Sequence, residues 1–353
     1  MIRRIDNVGD DWRRTIAQLV AAGVPVPLPA RAEFAARLGG PAPRLLVLEE
    51  DDGRASAAIA FDVEPGGAIP GHRIARAYHC GAGLVGPKGD ELLAGLADLA
   101  RAEFRLLRLT VEIVLRDPSE HARLTEGMRM AGFAPLEPIR KYHNTLVIDL
   151  GVCEDQILRS FSTSTRRDLR GWAERPVELR EITDVRYAER LNALARETFL
   201  RTGGEFTTRP WAERIGLCRD LPSASRLVGI FRAGRDDPEA LLAYAWGCAH
   251  GDHAHYDDGG STRADDYKAS LMYPLIWDLV RWAKQQGCQW FDMGGVTLTT
   301  QADGDPLGGI SDFKRRFSKT VVAVGAEWVL EPHPRRAALV RGLGRVATRL
   351  GVR

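Results

Sequence analysis

Cysteine is scarce and scattered in this sequence: Cys80, Cys153, Cys218, Cys248 and Cys288 are five among 353 residues. An odd number with no C-x-x-C pair offers neither a disulfide framework nor a zinc site, so a reducing compartment is expected. Long apolar runs are missing as well. No stretch approaches the roughly 18 uninterrupted apolar residues of a membrane span, and Arg3-Arg4 is not followed by an apolar leader, which together predict a cytoplasmic protein. Charge of one sign is also lacking. With 49 basic against 47 acidic groups there is no bulk attraction for nucleic acid or membrane, so any such partner must meet a local patch. His79, His143, His250, His253 and His255 show no metal-ligand spacing, so no metal is expected. There is no P-loop, dinucleotide fingerprint or Gly-x-Ser-x-Gly elbow, and Gly81-Ala82-Gly83 reads as lacking the strand-to-helix context of a phosphate cradle.

What is present is an ordinary globular composition, 44% hydrophobic and 27% charged, in a chain too long for one core. Residues 44–49 and 57–63 read as strands joined by the turn Asp51-Asp52-Gly53. A helix over 90–104, a strand over 109–115, a helix over 120–131 closed by Gly132, and a strand over 143–148 follow. Beyond helices at 187–200 and 211–219, the same grammar returns. Strands at 225–231 and 241–249 flank a polar turn, and a strand at 253–257, a long helix at 267–286 and strands at 289–292 and 321–324 complete it. The twofold occurrence predicts an α/β fold of two acyltransferase-like domains in tandem, each a mixed sheet flanked by helices and splayed near its middle. The expected limits are 1–152 and 153–331, with a basic amphipathic helix over 332–353.

Four segments of the second half carry chemistry: Thr207-Thr208-Arg209-Pro210, His255 to Ser261, Phe291-Asp292-Met293-Gly294-Gly295, and Asp312-Phe313-Lys314-Arg315-Arg316-Phe317. With the strand ending Asp149-Leu150, the basic Arg166-Arg167 and Tyr267 opening the long helix, their order resembles the Fem family over residues 142–324. Members of that family are peptidyltransferases with acyltransferase-like (GNAT) domains that add amino acids from aminoacyl-tRNA to peptidoglycan precursors. Residues 184–221 leave no room for the helical arm of some members, so the chain resembles the compact type, which acts on a soluble nucleotide-linked muropeptide.

Moving an aminoacyl group from a tRNA ester to an amine needs a neutral nucleophile, donors for the oxyanion and a proton path to the ribose. The resemblance places Lys314 on the family's functional lysine, between Phe313 and Phe317; otherwise it is an exposed lysine beside two core aromatics. Tyr256 matches a tyrosine near the reacting groups, able to donate or relay a proton, or else a packing residue of its strand. Arg209 matches the arginine that pairs with precursor phosphate, a task suited to the guanidinium fork, or else is a surface arginine at a helix start. Arg166, Arg167 and Arg170 would meet phosphates of tRNA or acceptor, or form a solvated helix face. Asp257 and Asp258 depart from the family's uncharged residues, positioning or deprotonating an amine or only ending a strand. Asp292 and Gly294-Gly295 are expected to shape the strand end, Gly295 allowing close approach of substrate.

The tail from Pro332 holds six arginines and no acid. Arg341, Arg345 and Arg349 share one face and Leu339, Leu343, Val346 and Leu350 the other, which suits an anionic membrane, a tRNA backbone, or plain docking by the aliphatic stripe. No cofactor is expected beyond aminoacyl-tRNA as co-substrate. An acyl-coenzyme A-dependent N-acyltransferase is the rival, disfavoured because the first turn of the long helix lacks the glycine-rich Gln/Arg-x-x-Gly-x-Gly/Ala pattern and puts Asp265 and Asp266 where pyrophosphate would sit. A non-catalytic binding module is the third possibility.

Overall fold

The computed structural model describes residues 1–66, 70–139, 142–202, 205–263, 270–299 and 308–349. The chain divides into two compact units, Met1–His143 with Val324–Arg353, and Asn144–Ala323.

The strands are β1 (Ile2–Ile5), β2 (Pro43–Glu49), β3 (Ala55–Pro65), β4 (Arg73–Cys80), β5 (Leu106–Val114), β6 (Ala134–Pro135) and β7 (Asn144–Asp149). The second series is β8 (Val177–Glu181), β9 (Ser225–Arg232), β10 (Leu241–Ala249), β11 (His253–Ser261), β12 (Trp290–Gly295), β13 (Val321–Ala323) and β14 (Gly325–Leu330). Helices α1 (Asp10–Ala21), α2 (Ala32–Arg37), α3 (Pro87–Ala102) and α4 (Pro118–Met130) belong to the first unit, with α11 (Pro334–Arg349). The second holds α5 (Glu154–Ser160), α6 (Thr163–Arg170), α7 (Ala188–Thr202), α8 (Trp211–Asp220), α9 (Met272–Gln285) and α10 (Gly308–Lys314).

Among the described residues each unit has one seven-stranded sheet. The first runs β1-β2-β3-β4-β5-β14-β6, and the second, read from its far edge, β8-β9-β10-β11-β12-β7-β13. In both, a parallel pair lies at the centre, β4 with β5 and β11 with β12, in otherwise antiparallel surroundings. The two acyltransferase-like units expected from the sequence are therefore present.

Their limits differ from expectation. The strand 144–149 was assigned to the first domain, but it pairs with β12 and β13 in the second sheet. The residues of β14, expected in the second domain, pair with β5 and β6 in the first. The alternation of apolar residues marks a strand; its partner is a non-local matter of hydrogen bonding that the local pattern does not contain.

Local chemistry explains the elements. In β2, Leu45 and Val47 pack on the α1 side while Leu46 and Leu48 face α3, so the first sheet is buried on both faces. Helix α4 starts where the Asp117 carboxylate accepts from the amides of Ser119 at 2.7 Å and Glu120 at 3.1 Å, with Pro118 next, and ends at Gly132 in the left-handed region. β10 is buried at all nine positions, as a central strand covered on both faces must be. The expected helix 267–286 begins only at Met272, with residues 264–269, Tyr267 among them, outside the described ones. Pro274 explains the start: in the first turn its missing N–H costs nothing, whereas deeper in a helix it would clash with the preceding turn.

The Gly81-Ala82-Gly83 reading also needs correction. Because β4 went unrecognised, the stretch looked isolated, yet it does run from a strand into α3. Side chains there would meet backbone oxygens, of Val114 at Gly81 and of Pro25 at Gly83, both at 2.5 Å, so the glycines admit neighbouring chain rather than a phosphate.

The terminal helix docks by a different face from the one expected. Ala337 and Val340 are 2% and 3% exposed, while Leu339 and Leu343 are 62% and 46% exposed. Small side chains let the helix approach closely, turning the larger leucines outward. The side chains of Arg345, Val346, Arg349 and Leu350 lie outside the described ones.

Candidate active site

The central parallel pair of the second unit defines the site. β11 and β12 pair only over His253 to His255 with Trp290 to Asp292, after which β11 stays with β10 and β12 with β7. Tyr256 follows immediately on one side of this break, and Met293 and then Gly294 on the other.

Asp292 fixes the end of β12. Fully buried, it accepts from the Thr145 hydroxyl and from the Gly294 amide at 2.6 Å, and the same hydroxyl reaches the Gly294 carbonyl at 2.9 Å. These contacts hold Gly294 at φ +77°, turning the chain so that Gly295 presents its carbonyl to Lys314 Nζ at 2.8 Å. Lys314 ends α10 and is buried. Burial pushes its ammonium down to about 8, opposed by the nearby Asp292 carboxylate. Phe313 is half-buried and stacks on Tyr273, centroids 6.0 Å apart, while Phe317 is fully buried in edge contact with Tyr273, Phe161 and Phe313. Lys314 is thus a buried cation held by a carbonyl, not an exposed lysine.

Tyr256 is half-buried and keeps its proton, since burial and then the charges of Asp258 and Asp257 raise its phenol. Its hydroxyl lies against Gly259, where a methyl group would come within 2.1 Å of the oxygen. A bulge accompanies it: Gly247 of β10 faces Tyr256, but the next residue, Trp246, faces Asp258, so Asp257 is the extra residue of the bulge.

Asp258 is not an open ligand. It accepts from Arg214 Nη1 at 2.8 Å, Tyr244 Oη at 3.0 Å and Arg209 Nε at 3.2 Å. Arg209 is further fixed by donation from Nη1 to the Thr207 carbonyl at 2.8 Å and by reciprocal bonds between its backbone and the Asn192 amide. Its Nη2 makes no hydrogen bond among the described residues. Arg214 went unnoticed in the sequence. Its guanidinium lies 4.2 Å from the ring centre of Trp246 and 4.8 Å from that of Trp211, and the signal available was its i+3 spacing from Trp211 on α8.

The basic run divides. Arg166 donates to the carbonyls of Arg159 at 2.7 Å and Phe161 at 3.1 Å, closing the end of α5, and Arg170 reaches the Arg166 carbonyl at 3.4 Å. Arg167 is exposed with no partner among the described residues. Lys314 and Gly295 thus meet at the strand break with the Tyr256 backbone close by at Gly294, the Tyr256 hydroxyl turns toward Gly259, Phe313 packs on Tyr273, and Arg209 and Asp258 form a second group farther along β11.

The comparisons with known proteins bear on the fold. Residues 159–315 match the family model of an acetyltransferase (GNAT) domain. No curated protein sequence matches the chain. Among solved structures, the chain is similar to FemX at 12% identity, with 96% of this chain and 100% of that one covered and a TM-score of 0.71. It is also similar to the C-terminal domain of a putative lysylphosphatidylglycerol synthetase from Agrobacterium fabrum, at 13% identity, 97% and 98% coverage and a TM-score of 0.54. A third likeness is to L-PGS from Bacillus licheniformis, at 12% identity, 98% coverage of both chains and a TM-score of 0.51. The fold is the Fem-like tandem GNAT fold, and the match to the acetyltransferase (GNAT) model falls within the second unit. Among the described residues, no helix is long and apolar enough to cross a membrane.

Proposed function

We propose that the protein transfers an aminoacyl group from aminoacyl-tRNA to an amine of a peptidoglycan precursor or a similar anionic peptide. The carrying observation is Lys314, a buried ammonium titrating near 8 and held on the Gly295 carbonyl where β11 and β12 part. The acceptor amine attacks the ester carbonyl, forming the C–N bond, and the oxyanion is met by the Lys314 ammonium and the Tyr256 phenol. As the C–O bond breaks, the ribose oxygen leaves with the proton given up by the amine, a transfer that a lysine titrating near neutrality mediates well. Phe313 and the Gly295 backbone line the approach. Arg209 offers Nη2 to an acceptor phosphate, and exposed Arg167 offers the tRNA backbone a cation. In α11, exposed Leu339 and Leu343, with exposed Arg335 one turn before Leu339, suit peripheral contact with an anionic membrane.

The test is transfer of labelled amino acid from charged tRNA to a nucleotide-linked muropeptide. RNase-sensitive product supports the reading; no transfer to any muropeptide, with or without RNase, defeats it.

One observation favours a second reading. The first turn of α9, Met272 to Pro274, carries no acidic residue, while Asp265 and Asp266 lie outside the described residues. Coenzyme A binding by calorimetry, with acyl transfer independent of tRNA, would establish that donor instead.

A further inference from the structure

The turn from β10 into β11 gathers three buried histidines that the transfer chemistry does not use, His250, His253 and His255. His250 Nε2 faces His255 Nδ1 at 2.9 Å, and the other nitrogen of His255, Nε2, lies 2.9 Å from Asp257 Oδ1. A carboxylate only accepts, so Nε2 of His255 is the donor toward Asp257, and Nδ1 of the same ring faces His250. His253 is held in a similar way. Its Nδ1 lies 2.8 Å from Asp252 Oδ1, its ring stacks on Trp290 at 4.3 Å and on His250 at 5.2 Å, and its Nε2 is buried without a hydrogen-bond partner among the described residues.

We propose that His250 and His255 are ligands of a divalent first-row transition-metal ion of the zinc type, with Asp257 orienting His255 from behind. A metal-bound histidine commonly donates its remaining N–H to a carboxylate, which fixes the tautomer and strengthens the ligating nitrogen; His255 and Asp257 have that arrangement. Imidazole nitrogens suit zinc and its neighbours. Two such nitrogens on a tetrahedral zinc stand about 3.3 Å apart, so the pair opens by roughly 0.4 Å to admit the ion. The stacked His253 and Trp290 keep the His250 ring in plane. The bulge that follows Tyr256 leaves Asp257 beside His255, where its carboxylate orients the ring that binds the ion.

Full-length protein is stripped with a chelator, dialysed against micromolar Zn²⁺ and analysed for bound metal, with Co²⁺ absorption reporting the ligands. The expected result is one equivalent of Zn²⁺, nitrogen-ligand bands with Co²⁺, loss of binding in His250→Ala and His255→Ala, and affinity about 10- to 100-fold weaker in Asp257→Asn. Stripped wild-type protein that takes up no Zn²⁺, or histidine variants that bind like wild type, overturns the proposal. Should the alanine variants fail to fold, Asp257→Asn decides, because its partly exposed side chain is not part of the core: unchanged affinity there counts against the site.

Discussion

The Lys314 ammonium donates to the Gly295 carbonyl at 2.8 Å, so the one buried lysine among the described residues hangs from the last residue of β12. The contact ties α10 to the strand end and leaves the remaining N–H donors for a ligand. Lys314→Met keeps the length of the side chain and removes its donors. Transfer activity is expected to fall about 10²- to 10³-fold, the scale for losing one oxyanion donor, in kcat more than KM. Unchanged turnover would remove Lys314 from the chemistry.

The same lysine makes stability depend on pH. Its folded value of about 8 lies below the ordinary 10.5, so between these values the unfolded chain holds more protons than the folded one. Stability therefore rises with pH across that window, and the penalty for the buried charge is fully present below about 8. Converted at 1.36 kcal/mol per pH unit, the gain is roughly 3 kcal/mol. Urea midpoints of wild type and Lys314→Met from pH 7 to 10.5 should show their difference shifting by that order in favour of wild type. Parallel curves would mean that the ammonium is not held in this pocket.

Gly294 faces two constraints. Its φ of +77° strains any L side chain, and an added methyl would lie 3.1 Å from Lys314 Nζ and 3.4 Å from the Tyr256 carbonyl. Gly294→Ala is expected to cost about 1–2 kcal/mol and to displace the ammonium, lowering turnover as well as stability. An active variant with only a stability loss would show that Lys314 tolerates displacement.

Much of this was legible in the sequence. The alternation of strands and helices marks the duplicated unit, and motif order singles out Lys314, Tyr256 and Arg209 as candidates, because these features are local. The exchange of β7 and β14 between sheets was not legible, since strand pairing joins residues more than 200 positions apart, as Val114 and Gly325 show. Nor was the state of Asp258. A strand-end aspartate looks alike whether it faces water or two arginines. The histidines of the β10–β11 turn were set aside on spacing, although an H-x-x-H-x-H run across a tight turn was visible and the turn converts that spacing into proximity.

Asp258 yields a prediction about stability. It balances Arg209 and Arg214 and receives the Tyr244 hydroxyl, so Asp258→Asn leaves two partly buried guanidinium groups without their shared anion. A loss of about 3–5 kcal/mol is expected, the scale for breaking a buried pair, measured by chemical denaturation. Loss of acceptor binding at unchanged stability would instead make Asp258 a substrate ligand.

Helix α11 separates docking from exposure along its own surface. Val340 is buried and Leu339, one residue away, is in solvent. Val340→Ala removes two methyl groups from a packed face and is expected to cost about 2 kcal/mol. Leu339→Ser with Leu343→Ser should stay within about 0.5 kcal/mol of wild type per site, because neither side chain is covered. The same double variant reads out the membrane contact. If both leucines enter an anionic bilayer, each contributes about 1.5–3 kcal/mol, and sedimentation with phosphatidylglycerol-containing vesicles should weaken more than tenfold. Equal binding by variant and wild type would assign any lipid attraction to the arginines alone.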